Sequence, residues 1–468
     1  MKRNVLHSLL LAVIIVFGTS IIANAQIGKL KNVKKEVTKS VNTVPVKEEK
    51  TETKAEEPKQ ETKSETATEP AATSSGKVIY VAKTGKNSNP GTKEAPIKNL
   101  DKAIQVAEDF DKIYVQEGVY SGTFDVGYFE ITKPLELYGG YNADFTKRDP
   151  VNTPSIIQTI KDKATSSKQS IIMISETHDV VIDGFVIDMG EHNNYDNKAP
   201  QGVETGYLTL TNTGGTPKRS AIKVVGNNIK IQNNTFVNIS YGGIFIMQRM
   251  NLDGKILVDN NVFVNCSQAG IECNPLRGPG QVREIEISNN TFAFTYGTTF
   301  LNDNLGCSVW LKGNANYNIH HNIFSYASDA ALRYLDVTEA TLKLDYNLFM
   351  NNRKNDIHTS IYNKRVFISV EEFEDVDFVS SLVGNKRMTE KLPLNAPYTS
   401  EFINMAAEVS MEYDPNTDWN QVRSILGLPQ QASGKATISF FANKYPWKES
   451  LKLFGAVNEF GAQLPTVD

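Results

Sequence analysis

The chain has 468 residues, 40% hydrophobic and 22% charged, with 49 basic against 53 acidic side chains; that is enough for one large domain or two ordinary ones. A formal net charge of −4 argues against a nucleic-acid partner, which needs a basic face to neutralise phosphates. Three cysteines exclude a disulfide-stapled scaffold and a cysteine-rich zinc module.

Residues 1–25 start with Lys2 and Arg3, run through an apolar stretch from Leu9 to Phe17 and finish at Ala23-Asn24-Ala25. This pattern predicts a cleavable secretory signal, hence a protein that is secreted, periplasmic or at the cell surface, with no membrane span after cleavage. Loss of Lys2 and Arg3 takes the formal charge from −4 to −6. Residues 26–76 change composition: between Ile27 and Gly76 lie ten Lys, nine Glu and no aromatic residue. Such a segment buries too little apolar surface to offset its chain entropy, so a disordered linker is expected.

The folded part is organised by a repeat. Five segments align: IKIQNNTFVN from Ile229, ILVDNNVFVN from Ile256, IEISNNTFAF from Ile285, YNIHHNIFSY from Tyr317 and LKLDYNLFMN from Leu342, with a looser copy from Val180. Their phenylalanines, Phe236, Phe263, Phe292, Phe324 and Phe349, recur at intervals of 27, 29, 32 and 25 residues. Each unit alternates apolar and polar positions with a period of two, breaks at an Asn, and continues into a strand bearing the Phe. A second apolar strand follows eight residues later, at Ile244, Ile271, Leu332 and Ile357; in the Phe292 unit its counterpart, Val309, comes after nine further residues. Units of this size cannot bury their own faces and must stack. The expected fold is all-β: a single-stranded right-handed parallel β-helix (solenoid) with an N-terminal capping helix and a C-terminal cap. Asn234, Asn261, Asn290, Asn322 and Asn347 should form an amide ladder, and the five phenylalanines an interior stack. Residues 77–360 are read as the coil, and 361–468 as closing rungs and cap. In that last part a short helix is expected at Asn420–Leu426 and a final strand in KLFGAVNEFGA.

These repeats resemble those of the pectin-lyase-like right-handed β-helix superfamily. The opening IYVAKTGKNSNPGTKEAPIKNLDKAI, followed by KIYVQEGVY and LELYGGYNADF, is similar to the head of exported bacterial members, where it feeds a short amphipathic helix that caps the coil. Here Asn99 or Asp101 is expected to cap that helix, with Ala103, Ile104, Val106 and Ala107 facing the core.

In a parallel strand alternate side chains leave the coil. The outward position beside each second-strand Ile gives one row: Lys223, Phe245, Glu272, Trp310, Arg333 and His358. The resemblance implies that this sheet is where polysaccharide lyases and hydrolases of the superfamily hold substrate. The insertions 190–219, 274–284 and 293–308 are expected as walls of a groove beside it. Phe245 and Trp310 suit stacking on sugar C–H faces, while Lys223, Arg277, Lys312 and Arg333 suit carboxylated sugars. A β-eliminating lyase needs a base and a group that neutralises the uronate carboxylate. Lys223 or His358 fits the base and Arg333 the neutraliser; Glu272 fits an acid in hydrolysis. The partner implied is an acidic polysaccharide or cell-surface glycan, bound and cleaved, or bound without turnover by an adhesin-like module.

The family's catalytic signatures are absent: there is no Asp-Asp pair with Gly-His-Gly, and Arg277, Pro279 and Arg283 miss the Arg-x-Pro-x-x-Arg spacing by one residue. Calcium would find oxygen ligands in Asp183, Asp188, Glu191 and Asp196, or in Asn302, Asp303 and Asn304, neither set in a fixed loop pattern. Adjacent His320 and His321 are expected to point opposite ways along a strand and to hold no metal. Cys266, Cys273 and Cys307 read as core residues.

Overall fold

The structure, a computed structural model, describes residues 76–121, 128–158, 170–190, 195–201, 209–212, 220–239, 241–247, 254–275, 283–296, 306–313, 315–334, 341–361, 364–375, 379–388, 392–406 and 444–466. All lie in one compact unit, Thr73–Asp468. The signal and nearly all of the linker expected from sequence fall outside the described residues, as does the helix expected at Asn420–Leu426.

Strand after strand pairs in parallel with its counterpart one rung on, in sheets of 17 and 9 strands. Two long strands, Ile172–Asp183 and Ile222–Gln232, bend from one face of the coil to the next and so join two faces into the larger sheet. The coil therefore has three faces. The first includes Lys255–Asp259, Glu284–Ser288, Asn316–His320 and Thr341–Asp345. The second carries the Phe strands, Thr235–Ile239, Val262–Cys266, Thr291–Ala293, Ile323–Ser325 and Leu348–Met350. The third comprises Gly242–Ile246, Ala269–Cys273, Cys307–Leu311, Ala330–Tyr334 and Asn355–Ile361.

The turn between the first and second faces explains the repeat. A residue with φ between +51° and +57° stands at each corner, Asn233, Asn260, Asn289, His321 and Tyr346, a conformation that Asn tolerates better than most side chains. The next residue is the buried ladder Asn. Asn290 Nδ2 donates to Val258 O, Ser288 O and Asn322 Oδ1, and its own Oδ1 accepts the backbone N–H and Nδ2 of Asn261. The ladder runs from Asn234 to Asn347 and goes one rung further, to Asn385. Beside it the phenylalanines stack, with ring centroids 4.6 Å apart from Phe236 to Phe263, 4.7 Å from Phe263 to Phe292 and 5.3 Å from Phe292 to Phe324 and on to Phe349. The third face makes room for these rings: a Cβ at Gly243 would lie 2.7 Å from the Phe263 ring, and one at Gly270 2.7 Å from that of Phe292.

At the N-terminal end the helix Leu100–Val106 buries Leu100, Ala103 and Ile104. Two details correct the sequence reading. Asn99 stands at the N-cap position but makes no side-chain cap, its own N–H donating to Asn87 Oδ1, whereas Asp101, inside the first turn, accepts the Lys102 N–H on Oδ1. Val106 is 40% exposed, because the seven-residue helix ends before its core stripe reaches that position.

The C-terminal part closes the coil in two ways. Val370 and Phe373 join the interior cluster at its end, and Val379–Ser381 and Lys386–Arg387 add a last partial rung. The chain then returns over the outside of the second face, where Tyr398, Phe402, Tyr445, Leu453 and Phe460 cover Val237, Val262, Val264 and Ile323. The final strand expected in KLFGAVNEFGA does not form. Gly455, Glu459 and Gly461 all have φ near +70°, which breaks the segment into turns.

Candidate functional site

The third face carries the outward row in continuous register. Lys223 stands beside Phe245, Phe245 beside Glu272, Glu272 beside Trp310, Trp310 beside Arg333, and Arg333 beside His358. Their neighbours along each strand, Ile244, Ile246, Ile271, Cys273, Val309, Leu311 and Leu332, are fully buried, so the alternation of a parallel strand fixes which side chains leave the coil.

The structure brings three of these groups, Glu272, Trp310 and Arg333, into one cluster with Lys312. Lys312 Nζ lies 2.6 Å from Glu272 Oε1 and 3.4 Å from the centroid of the Trp310 ring. The Arg333 guanidinium packs on the same ring at 4.3 Å. Trp310 thus binds two cations, an arrangement its quadrupole favours when the groups are desolvated. Glu272 is 7% exposed and Arg333 3%, whereas Lys223, Phe245 and Trp310 remain half-buried. The ring expected to stack on a sugar therefore already carries two cations.

His358 lies at the closed end. It has no exposed surface, its Nδ1 faces Asp329 Oδ2 at 3.0 Å, and Lys354 Nζ stands 3.3 Å from Asp329 Oδ1. The strand Lys364–Ile368 folds back antiparallel on Asn355–Ile361 and sets Phe367 opposite His358, with ring centroids 4.1 Å apart. Here the row departs from the open groove expected from sequence. A last parallel strand would leave a bare sheet edge, and the returning strand covers it. Sequence reasoning missed Asp329, Lys354 and Phe367; only Phe367 carried a signal, as an apolar residue in a short alternating segment behind the last repeat. Arg277 lies outside the described residues, as do most of the three insertions. Within 190–219 the strands Tyr195–Gln201 and Thr209–Asn212 pair antiparallel.

Of the candidate calcium ligands, Asp183 and Asp188 are engaged, while Glu191, Asn302, Asp303, Asn304 and the Asp196 side chain lie outside what the structure describes. Asp183 pairs with Arg148 and accepts from Gln232 and Asn233, and Asp188 accepts from Gly190 N and Asn238 Nδ2. Among the described residues no group of three or more His, Cys, Asp or Glu converges as a metal site would. His320 and His321 do not point apart: their Nδ1 atoms are 3.0 Å from each other, because His321 occupies the left-handed corner at φ +55°. The three cysteines are buried and free. Burial holds the Cys273 and Cys307 thiols well above their usual range, which leaves them inert as nucleophiles. No helix among the described residues is long and apolar enough to cross a membrane.

Residues 202–369 match the family described as right handed beta helix region. This agrees with the observed coil, which has the right-handed parallel β-helix fold. A stretch of 113 residues is 28% identical to the uncharacterized protein YwoF of Bacillus subtilis (strain 168), covering 24% of this chain and 22% of that one; the chain thus aligns with about a fifth of that relative's length. Among solved structures, XylC in complex with xylose is similar at a TM-score of 0.36 and 12% identity, over 67% of this chain and 68% of that one. A lacto-N-biosidase from Eubacterium ramulus gives 0.37 and 13%, over 61% and 58%. An alginate lyase from Paenibacillus sp. str. FPU-7 gives 0.32 and 15%, over 66% and 95%.

Proposed function

We propose that this is an exported β-helix protein that binds an acidic polysaccharide along its third face. The observation that carries the reading is the unbroken outward row Lys223, Phe245, Glu272, Trp310 and Arg333, with Lys312 beside it on Glu272, so that three cations and two rings surround one carboxylate. An excess of cations beside aromatic rings complements a chain of carboxylated pyranoses, whose C–H faces stack and whose charges pair.

A binding module without turnover is favoured over a lyase by the condition of the would-be catalysts. His358 is enclosed by Phe367 and Asp329, Glu272 is held by Lys312, and Arg333 is nearly covered. A base must come within hydrogen-bond reach of the proton it removes, which leaves Lys223 as the one of the four that keeps partial exposure.

The test is native gel electrophoresis through polygalacturonate or alginate, with a neutral glucan as control. Retardation by a uronate polymer that is lost in Lys223→Ala/Phe245→Ala supports the reading, and no retardation in any uronate polymer overturns it. Absorbance of unsaturated uronate ends on the same polymers separates lyase from binder.

A further inference from the structure

On the far side of the second face from this row, a cavity of about 520 Å³ is lined by His321, Tyr346, Gly384, Lys386, Glu459 and Phe460. Its volume is in the range of small-ligand pockets. Its origin lies in the turn column. Five successive rungs place a side chain at the left-handed corner, the last two being His321 and Tyr346, whose rings stack 5.3 Å apart at 16°. The sixth rung, where Asn385 continues the ladder, has Gly384 at that corner, with φ +71°. The column therefore loses its side chain there, and a Cβ would sit only 2.4 Å from the Tyr346 ring. The returning tail supplies the opposite wall, anchored by the Gly461 N–H on His321 O at 2.7 Å.

The chemistry of this cavity is specific. Tyr346 is 45% exposed, an unusual state for a ring in this coil, and Phe460 adds a second ring. Lys386 and Glu459 are both exposed and line the same space without forming an ion pair with each other, and the Glu459 carboxylate acts electrostatically on His321. The Lys386 ammonium stands over the Phe460 ring, 5.2 Å from its centroid. One cation, one carboxylate near a histidine, and the exposed Tyr346 ring around an open volume suit a compact ligand with an apolar ring face, an anionic group and hydroxyl donors.

We propose that this cavity is a second ligand site, for a single carboxylated sugar such as a uronate. In it the Lys386 ammonium, seated over the Phe460 ring, takes the sugar carboxylate, Glu459 accepts from ring hydroxyls, and Tyr346 meets the C–H face. The site shares no residue with the third-face row, so it stands or falls independently of the polysaccharide reading.

Saturation-transfer NMR on the purified protein tests it, with glucuronate and galacturonate as probes and glucose and galactose as uncharged controls. The expected result is transfer to the uronates, weaker by about tenfold for the neutral sugars and for Lys386→Gln, as befits loss of one charge-assisted contact. Glu459→Gln should weaken it as well, while Lys223→Ala/Phe245→Ala leaves it intact. No transfer to either uronate, equal transfer to glucose, survival in Lys386→Gln, or loss in the third-face double variant would each overturn the assignment. Lys386 and Glu459 are surface residues outside the core clusters, so both variants test binding in a folded protein.

Discussion

Replacing Asn290 probes the ladder where it is most enclosed. Asn290 has no exposed surface. Alanine removes the acceptor of the Asn261 N–H and the donor to Val258 O, while Ser288 O keeps the Asn260 N–H and Asn322 Oδ1 keeps the Asn290 backbone N–H. Two buried backbone groups lose a partner at about 1–3 kcal/mol each, so Asn290→Ala should cost roughly 2–6 kcal/mol. Asn290→Asp sharpens the argument. It keeps the shape but turns a donor into a second acceptor aimed at Val258 O, Ser288 O and Asn322 Oδ1, and it should cost more than alanine. At the partly buried end of the ladder, where water can replace the amide, Asn385→Ala should cost least. Urea unfolding followed by circular dichroism measures all three. If Asp proves milder than Ala at position 290, space filling and not hydrogen bonding is what the ladder provides; equal costs at 290 and 385 would refute the role of enclosure.

Burial pushes the Asp356 carboxyl up to about 6, against the pull of Arg387 and of the hydrogen bond from Val370 N. Because the folded value lies above the unfolded one, this group's contribution is full below about pH 3.8 and is lost as pH rises through about 6, a swing of ~3 kcal/mol. Asp356→Asn should therefore gain on the wild type between about pH 4 and about pH 7 in urea titrations, and a pH-independent difference would contradict the sign. Lys312→Met strands the Glu272 carboxylate and should cost about 3 kcal/mol, most of it recovered in Glu272→Gln/Lys312→Met; a double-mutant cycle with coupling under about 0.5 kcal/mol would show that the pair is not enclosed. Gly270→Ala forces a methyl group against the Phe292 ring and Ser308 O and should lower the unfolding free energy by about 1–3 kcal/mol, whereas an unchanged urea midpoint would mean that the stack yields freely.

What the sequence revealed and what it hid divide along physical lines. The ladder from Asn234 to Asn347, the stack from Phe236 to Phe349 and the register of Lys223 through His358 were legible because stacking forces identical positions onto one line, and a repeat of 25 to 32 residues records that line directly. Asn385 escaped because it comes 38 residues after Asn347, with no Phe strand behind it. The His320–His321 contact escaped because strand alternation was applied across a corner where φ is positive. The enclosure of Arg333 and His358 escaped for another reason: pairing register says which way a side chain leaves a sheet, not what other segment lies on top of it. The docking of the tail has no periodic signature at all. Its contacts join residues about two hundred positions apart, as between Tyr445 and Asn238.

That tail carries a consequence for how the molecule is made. Tyr445 holds Asn238, Gln463 holds Asn260, Ala462 holds Thr291 and Gly461 holds His321, four consecutive rungs tied by one strap. Until residues 444–466 arrive, Val237, Val262, Val264 and Ile323 lack the part of their cover that Tyr445, Leu453 and Phe460 supply. Residues 444–466, made after these rungs, thus cover apolar surface on parts of the coil made earlier. A chain shortened before Tyr445 should coil and then clump, and the strap is also what turns a stack of separable units into a molecule that opens all at once.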